Sequence, residues 1–165
     1  MRFSAIFAAA SLAIGLGRAC NVVKGVKVTF YGFSDNSPPG DGVAYNCAGR
    51  DYHAKGDGSY DNPLTFASDP KEYKPCEIVY FPYLKKYLRM EDQCAQCITD
   101  YGNGIKHVDI WTGKAATSCE NNLTPDGTQV VVRDPPKNLS VDTSALYADG
   151  KCNKGATNPG AAGSC

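Results

Sequence analysis

The segment Ile105-Lys106-His107-Val108-Asp109-Ile110-Trp111 decides between helix and strand. Ile105, His107, Asp109 and Trp111 fall on one side of an extended chain, and Lys106, Val108 and Ile110 on the other. Successive side chains of a strand point to opposite faces, so Val108 and Ile110 claim the core. His107, Asp109 and Trp111 are then predicted to face outward, toward solvent or a groove.

The same period recurs upstream and downstream. Val26-Lys-Val-Thr-Phe-Tyr31 alternates, with Val26, Val28 and Phe30 on one face. Leu64–Ser68, Glu77–Phe81, Leu88–Asp92 and Gln129–Arg133 complete six short predicted strands. Turn-forming runs separate them: Ser34–Gly42, Asp51–Asn62, Asp69-Pro70 and Pro82, with Pro82–Tyr87 as a turn or bend. Helical periodicity is poor throughout. The expectation is a mainly β sandwich or small barrel, and a barrel has no exposed edge strands.

Composition narrows the function classes. The 165 residues carry 17 basic and 17 acidic side chains, so no basic field points to nucleic acid. Met1-Arg2-Phe3, the apolar run Ala5–Ile14 and the small residues of Gly17-Arg18-Ala19 read as a secretory signal over residues 1–19, cut before Cys20. Residues 20–165 are then one domain, with its core at about 26–133. No later segment is apolar enough to span a membrane. From Asp149 onward Gly, Ala, Asn, Lys and Ser dominate, and such a tail needs tethering.

Eight cysteines remain after that cut: Cys20, Cys47, Cys76, Cys94, Cys97, Cys119, Cys152 and Cys165. In an oxidising compartment they read as four disulfides, with Cys152 and Cys165 tethering the tail. Spacing leaves on the order of a hundred pairings open. Cys94-Ala-Gln-Cys97 is also the spacing of a redox pair or half a zinc site. No strand–helix–strand pattern surrounds it and no second ligand pair accompanies it, so neither metal nor cofactor is expected. Asn122-Leu-Thr124 and Asn138-Leu-Ser140 are glycosylation sequons, which mark surface loops in a secreted chain.

The carboxylates carry the candidate chemistry. Asp109 sits between an imidazole and an indole on one strand face, and apolar cover raises a carboxyl pKa until it can donate a proton. Asp92 ends its strand just before Cys94, where a disulfide would fix its backbone. Asp69, before Pro70, has the alternative role of a turn cap. Tyr31, His107 and Trp111 are candidate groove residues, since aromatic faces stack on pyranose C–H faces. No Gly-x-Ser-x-Gly elbow, phosphate-binding loop or triad motif is present.

Four of these stretches together resemble a known family. Phe66-Ala-Ser-Asp69-Pro70, Pro75-Cys-Glu-Ile-Val-Tyr80, Leu88-Arg-Met-Glu-Asp92 and Lys106-His-Val-Asp109-Ile-Trp111 are similar to the three-aspartate domain of lytic transglycosylases. Val28-Thr-Phe-Tyr-Gly32 looks like the opening of expansins, and the whole chain resembles small secreted fungal proteins that include muramidases. The resemblance spans roughly residues 26–113 and implies a six-stranded double-psi β-barrel with long disulfide-linked loops. It implies Asp109 as acid, Asp92 and Asp69 at the other two aspartate positions, and a secreted, monomeric enzyme acting on peptidoglycan glycan strands. The alternatives are a non-catalytic expansin-like binder or effector, or a glucan- or chitin-directed hydrolase.

Overall fold

The computed structural model describes residues 19–165. The predicted signal segment lies outside the described residues, Ala19 apart. The chain runs β1 (Asn21–Tyr31), β2 (Leu64–Ser68), β3 (Ile78–Phe81), β4 (Lys86–Gln93), α1 (Ala95–Gly102), β5 (Lys106–Trp111), α2 (Thr117–Leu123) and β6 (Gln129–Arg133). A two-stranded ribbon, β7 (Tyr147–Ala148) with β8 (Lys151–Cys152), follows.

The first six strands close a barrel in the order β1-β5-β2-β4-β3-β6. β1 pairs with β5, and β2 with β4, in parallel; the remaining pairs are antiparallel. Alternation works as the sequence predicts. Val26, Val28 and Phe30 of β1, Phe66 of β2, and Val108 and Ile110 of β5 are buried in one cluster with Leu88, Met90, Val79 and Phe81. Because paired residues share a face, Thr29, Tyr31, Ala67, His107, Asp109 and Trp111 lie on the outer side of the barrel wall.

Several boundaries differ from expectation for identifiable reasons. β1 begins at Asn21 and pairs first with β6, then shifts register between Val23 and Val26. Gly25, at φ +73°, supplies the positive φ at that irregularity. β4 begins at Lys86, because Pro82–Lys85 makes a tight turn and Tyr87 and Lys86 pair back onto Tyr80 and Phe81. The helices α1 and α2 were not expected. They are eight and seven residues long, too short for a clear helical period, and their N-caps are Cys94 and Ala116 rather than Ser, Thr, Asp or Asn.

The cysteines form Cys20–Cys165, Cys47–Cys76, Cys94–Cys97 and Cys119–Cys152. Cys152 and Cys165 do tether the tail, each to a different part of the domain. Between β7 and β8, Asp149 and Gly150 both take positive φ, the two-residue turn that matches strand twist. Lys86 is buried and donates from Nζ to the carbonyls of Asp57 and Ser144, at 2.9 and 2.8 Å, which draws the later loop against the barrel. Asn122 and Asn138 are both exposed, Asn122 in the last turn of α2 rather than in a loop. Among the described residues no helix is long and apolar enough to cross a membrane.

The disulfides differ in what they close. Cys20 and Cys165 are 145 residues apart, and Cys94 and Cys97 only 3. Loop-closure entropy then assigns about 5 kcal/mol to the first and about 2 kcal/mol to the second. Denaturant titration should show Cys20→Ser/Cys165→Ser losing more stability than Cys94→Ser/Cys97→Ser.

Candidate active site

β2 is the strand around which the site is built. Ala67 is paired with Asp92 of β4 on one side and with Asp109 of β5 on the other. Asp109 in turn is paired with Thr29 of β1. The row Thr29–Asp109–Ala67–Asp92 therefore crosses four adjacent strands on one face. Ala67, Asp92 and Asp109 of this row open into a groove of about 840 Å³ lined also by Tyr31, Asp35, Val43, Tyr52, Gln93 and Ile98.

Asp92 reaches this face through a bulge. Phe66 pairs with Met90 but Ala67 pairs with Asp92, so Glu91 is the extra residue and strand parity changes after it. Glu91 is fully buried beneath the site. Its Oε2 accepts from Arg50 Nη1 at 2.8 Å and from the Thr65 hydroxyl, and Arg89 Nη1 stands 3.6 Å from Oε1. Arg50 also donates to Lys55 O, Asn62 Oδ1 and Pro63 O, at 3.0, 2.9 and 2.7 Å, so the guanidinium ties the 50–65 loop to the bulge.

The two aspartates have different surroundings. Burial pushes the Asp109 carboxyl up to about 6, and the negative charges of Asp35 and Asp92 add to this. The Thr29 hydroxyl opposes the rise by donating to Asp109 Oδ1 at 2.7 Å. Burial also raises Asp92, but the backbone N–H groups of Gln93 and Ala44 donate to Oδ1 at 2.9 and 3.0 Å and favour its ionised form. The Tyr31 hydroxyl is 3.5 Å from Asp92 Oδ2, and burial holds that phenol well above its ordinary range.

His107 is not in the groove. It lies on the predicted outward face, but α1 packs over β5 and covers it. Its Nε2 is 2.9 Å from Thr29 Oγ1, and its Nδ1 is 2.8 Å from Asp100 Oδ2 without an aligned hydrogen bond; burial lowers the pKa of the ring and favours its neutral form. The Lys27 ammonium, 2.8 Å from Asp100, holds that carboxyl down at about 2. A polar chain thus runs from Lys27 at the surface through Asp100, His107 and Thr29 to Asp109. Trp111 is likewise covered; its ring stands edge-on to Tyr31 at 5.2 Å and borders a separate cavity of about 210 Å³ beside Lys86 and Leu146. Asp69 is a turn cap: its carboxylate accepts from Lys71 N at 2.7 Å, and its carbonyl accepts from Glu72 and Tyr73.

Two acids went unnoticed in the sequence. Asp35, in the loop after β1, lines the groove and accepts from Gly32 N at 2.6 Å. Glu120 of α2 is buried nearby, pushed up to about 7 by burial and by the charges of Asp35 and Asp109. A Cβ at residue 32 would lie 2.6 Å from Glu120 Oε1, so glycine there is what admits this carboxyl. The only clue was Gly32 itself, closing Thr-Phe-Tyr-Gly.

A family model described as the DDB_G0273701 N-terminal domain matches residues 23–153. The chain belongs to this family. Uncharacterized protein DDB_G0273701/DDB_G0273221 of Dictyostelium discoideum is 37% identical over 136 residues, which is 78% of this chain and 59% of that relative. The chain thus spans about three fifths of the relative's length. No solved structure matches. The DDB_G0273701 N-terminal domain takes in the whole barrel wall around the groove, with Asp35, Asp92, Asp109 and Glu120, and leaves out the Cys20–Cys165 tether.

The buried acids make stability depend on pH. Glu72, whose Oε1 has no hydrogen-bond partner among the described residues, is pushed up to about 7 by burial, as Glu120 is; Asp109 reaches about 6. Raised carboxyls contribute stability that is fully present below their unfolded values near 4 and lost as pH rises through 6 and 7. Asp100, held low, loses its contribution only well below pH 4 and does not blunt this window; His107, lowered by burial, opposes it as one group against three. Calorimetry should show the melting temperature falling by at least ~5 °C from pH 5 to pH 8. Glu72→Gln should flatten part of that slope. Arg50→Met, which leaves Glu91 buried without its partner, should cost about 3–5 kcal/mol in denaturant titration.

Proposed function

We propose that this chain is a secreted glycosidase that cuts the glycan strands of bacterial peptidoglycan in the groove between Asp109 and Asp92. The observation that carries the reading is the pairing of both aspartates with Ala67. Two strand spacings separate their backbones by ~10 Å. That is compatible with the ~6.5–9.5 Å between carboxyl groups in inverting glycosidases, which leaves room for a water.

The roles follow from the environments. Asp109, holding its proton up to about pH 6, donates it to the leaving glycosidic oxygen. Asp92, raised by burial but with two backbone N–H groups that favour its ionised form, orients the attacking water or stabilises charge on the sugar. Tyr52 on the groove wall, 54% exposed, offers an aromatic face for a pyranose ring. His107 fixes Thr29, and Thr29 fixes Asp109. Trp111 acts through Tyr31. The two parallel pairs within a six-stranded barrel support the resemblance to the double-psi fold, and four disulfides support an extracellular site of action.

One observation favours a second reading. Asp35, Asp92 and Asp109 line the groove, and among the described residues no Lys, Arg or His joins them. Such a wall repels carboxylate-rich strands and suits uncharged chitin or β-glucan, whether cleaved or only bound in the manner of an expansin.

Purified peptidoglycan, chitin and β-glucan incubated with the protein separate these readings. The expected outcome is new reducing ends from peptidoglycan, best below about pH 6, with Asp109→Asn lowering the rate at least ~100-fold. Products from chitin or glucan alone transfer the assignment to the second reading. Binding with no product at any pH overturns catalysis, and so does full activity in Asp109→Asn.

A further inference from the structure

The Cys94–Cys97 pair sits in a setting that the sequence did not disclose. β4 leads directly into it, Cys94 is the N-cap of α1, and β5 follows, so the pair opens a helix between two strands. The Cys97 N–H donates to Cys94 Sγ at 3.0 Å. A thiolate at Cys94 would keep that hydrogen bond and gain the favourable end of the helix dipole. The two sulfurs are unequal: Cys94 is 9% exposed and borders the groove, whereas Cys97 is fully buried. A ring nitrogen of His107 lies within 4.8 Å of both sulfurs. The imidazole is itself buried, and its Nδ1, 2.8 Å from Asp100 Oδ2, has no aligned hydrogen-bond partner among the described residues. The loop closed by this disulfide is the shortest of the four, so it contributes least to holding the fold.

We propose that Cys94 and Cys97 form a thiol–disulfide exchange site that oxidises a dithiol of an extended peptide lying in the groove. A substrate thiolate attacks Cys94 Sγ, the Cys94–Cys97 bond breaks, and its electron pair leaves on Cys97, which takes up a proton with His107 beside it. The second substrate thiol, deprotonated, attacks its partner sulfur in the mixed disulfide and displaces Cys94 as thiolate. The peptide loses two electrons and gains a disulfide; Cys94 and Cys97 become a dithiol. A low-molecular-weight disulfide restores the pair by the reverse exchange. The other disulfides join distant segments and serve the fold. The exchange is independent of glycan cleavage, and its test uses no glycan.

The test incubates the full chain, without denaturant, with a reduced peptide carrying two cysteines, then alkylates free thiols and maps them by mass spectrometry. The expected result is alkylation at Cys94 and Cys97 only, with one peptide disulfide formed per protein. In Cys97→Ser the free Cys94 should form a mixed disulfide with an oxidised peptide at least ~10-fold faster than a cysteine in an unstructured peptide at the same pH. In Cys94→Ser the buried Cys97 should not react. The proposal is overturned if Cys94–Cys97 stays oxidised in the wild-type chain, or if another pair is reduced first. It fails equally if Cys94 in Cys97→Ser reacts no faster than the control. The wild-type map decides the matter even if a variant does not fold.

Discussion

The groove exists because β2 is paired on both edges and because the residue where the pairings meet is alanine. β4 and β5 each bring an aspartate level with Ala67. A methyl group there separates two acids by two strand spacings and leaves the space between them open. A longer side chain would fill that space. A register slip of one residue on either edge would turn an aspartate into the barrel, among Phe66, Val108 and Ile110, where an ionised group has no partner. Pairing, rather than any single loop, therefore sets the distance between the two carboxyls.

The bulge is the second condition. Without an extra residue in β4, Asp92 would follow Leu88 and Met90 into the core. Glu91 takes up that extra position, and the guanidinium of Arg50 neutralises it in the interior. Three further acceptors around Arg50, together with the Thr65 hydroxyl, tie this pair into a polar network, while Glu91 Oε1 has only the 3.6 Å contact with Arg89. The same network fastens the 50–65 loop, which carries Tyr52 to the groove wall. A buried charge pair is a poor source of stability in itself, but cutting this one would release the bulge and the loop together.

Strand alternation made the barrel wall legible. Val26–Tyr31 and Ile105–Trp111 gave the inward and outward faces, and the structure keeps both assignments. Alternation says which side of a wall a residue takes but not what covers that side. His107 and Trp111 stand on the outer face and are nonetheless buried, because α1 and the later loops pack over them. α1 itself was hidden because its cap is a cysteine sulfur, outside the usual capping vocabulary, and its eight residues are too few for a period. Asp35 and Glu120 escaped for a related reason: one is in a turn-rich loop, the other in a seven-residue helix, and only three-dimensional proximity joins them to Asp109.

Covering the outer face has a cost that explains where the cross-links lie. A carboxyl that holds its proton up to pH 6 or 7 must be kept from water, and Asp109, Glu120 and Glu72 are all raised mainly by burial. That burial weakens the folded state as these groups ionise. The lids responsible are small: a two-turn helix, a shorter one, and loops with little core of their own. Cys119–Cys152 ties α2, which carries Glu120, to the tail ribbon, and Cys47–Cys76 ties the loop beside Arg50 to the approach to β3. Cross-links placed there act on the segments that shield the acids and leave the barrel strands free of them. The elevated proton affinity of the groove and the positions of these disulfides are thus two consequences of one requirement, a lid held over a wall that carries charge.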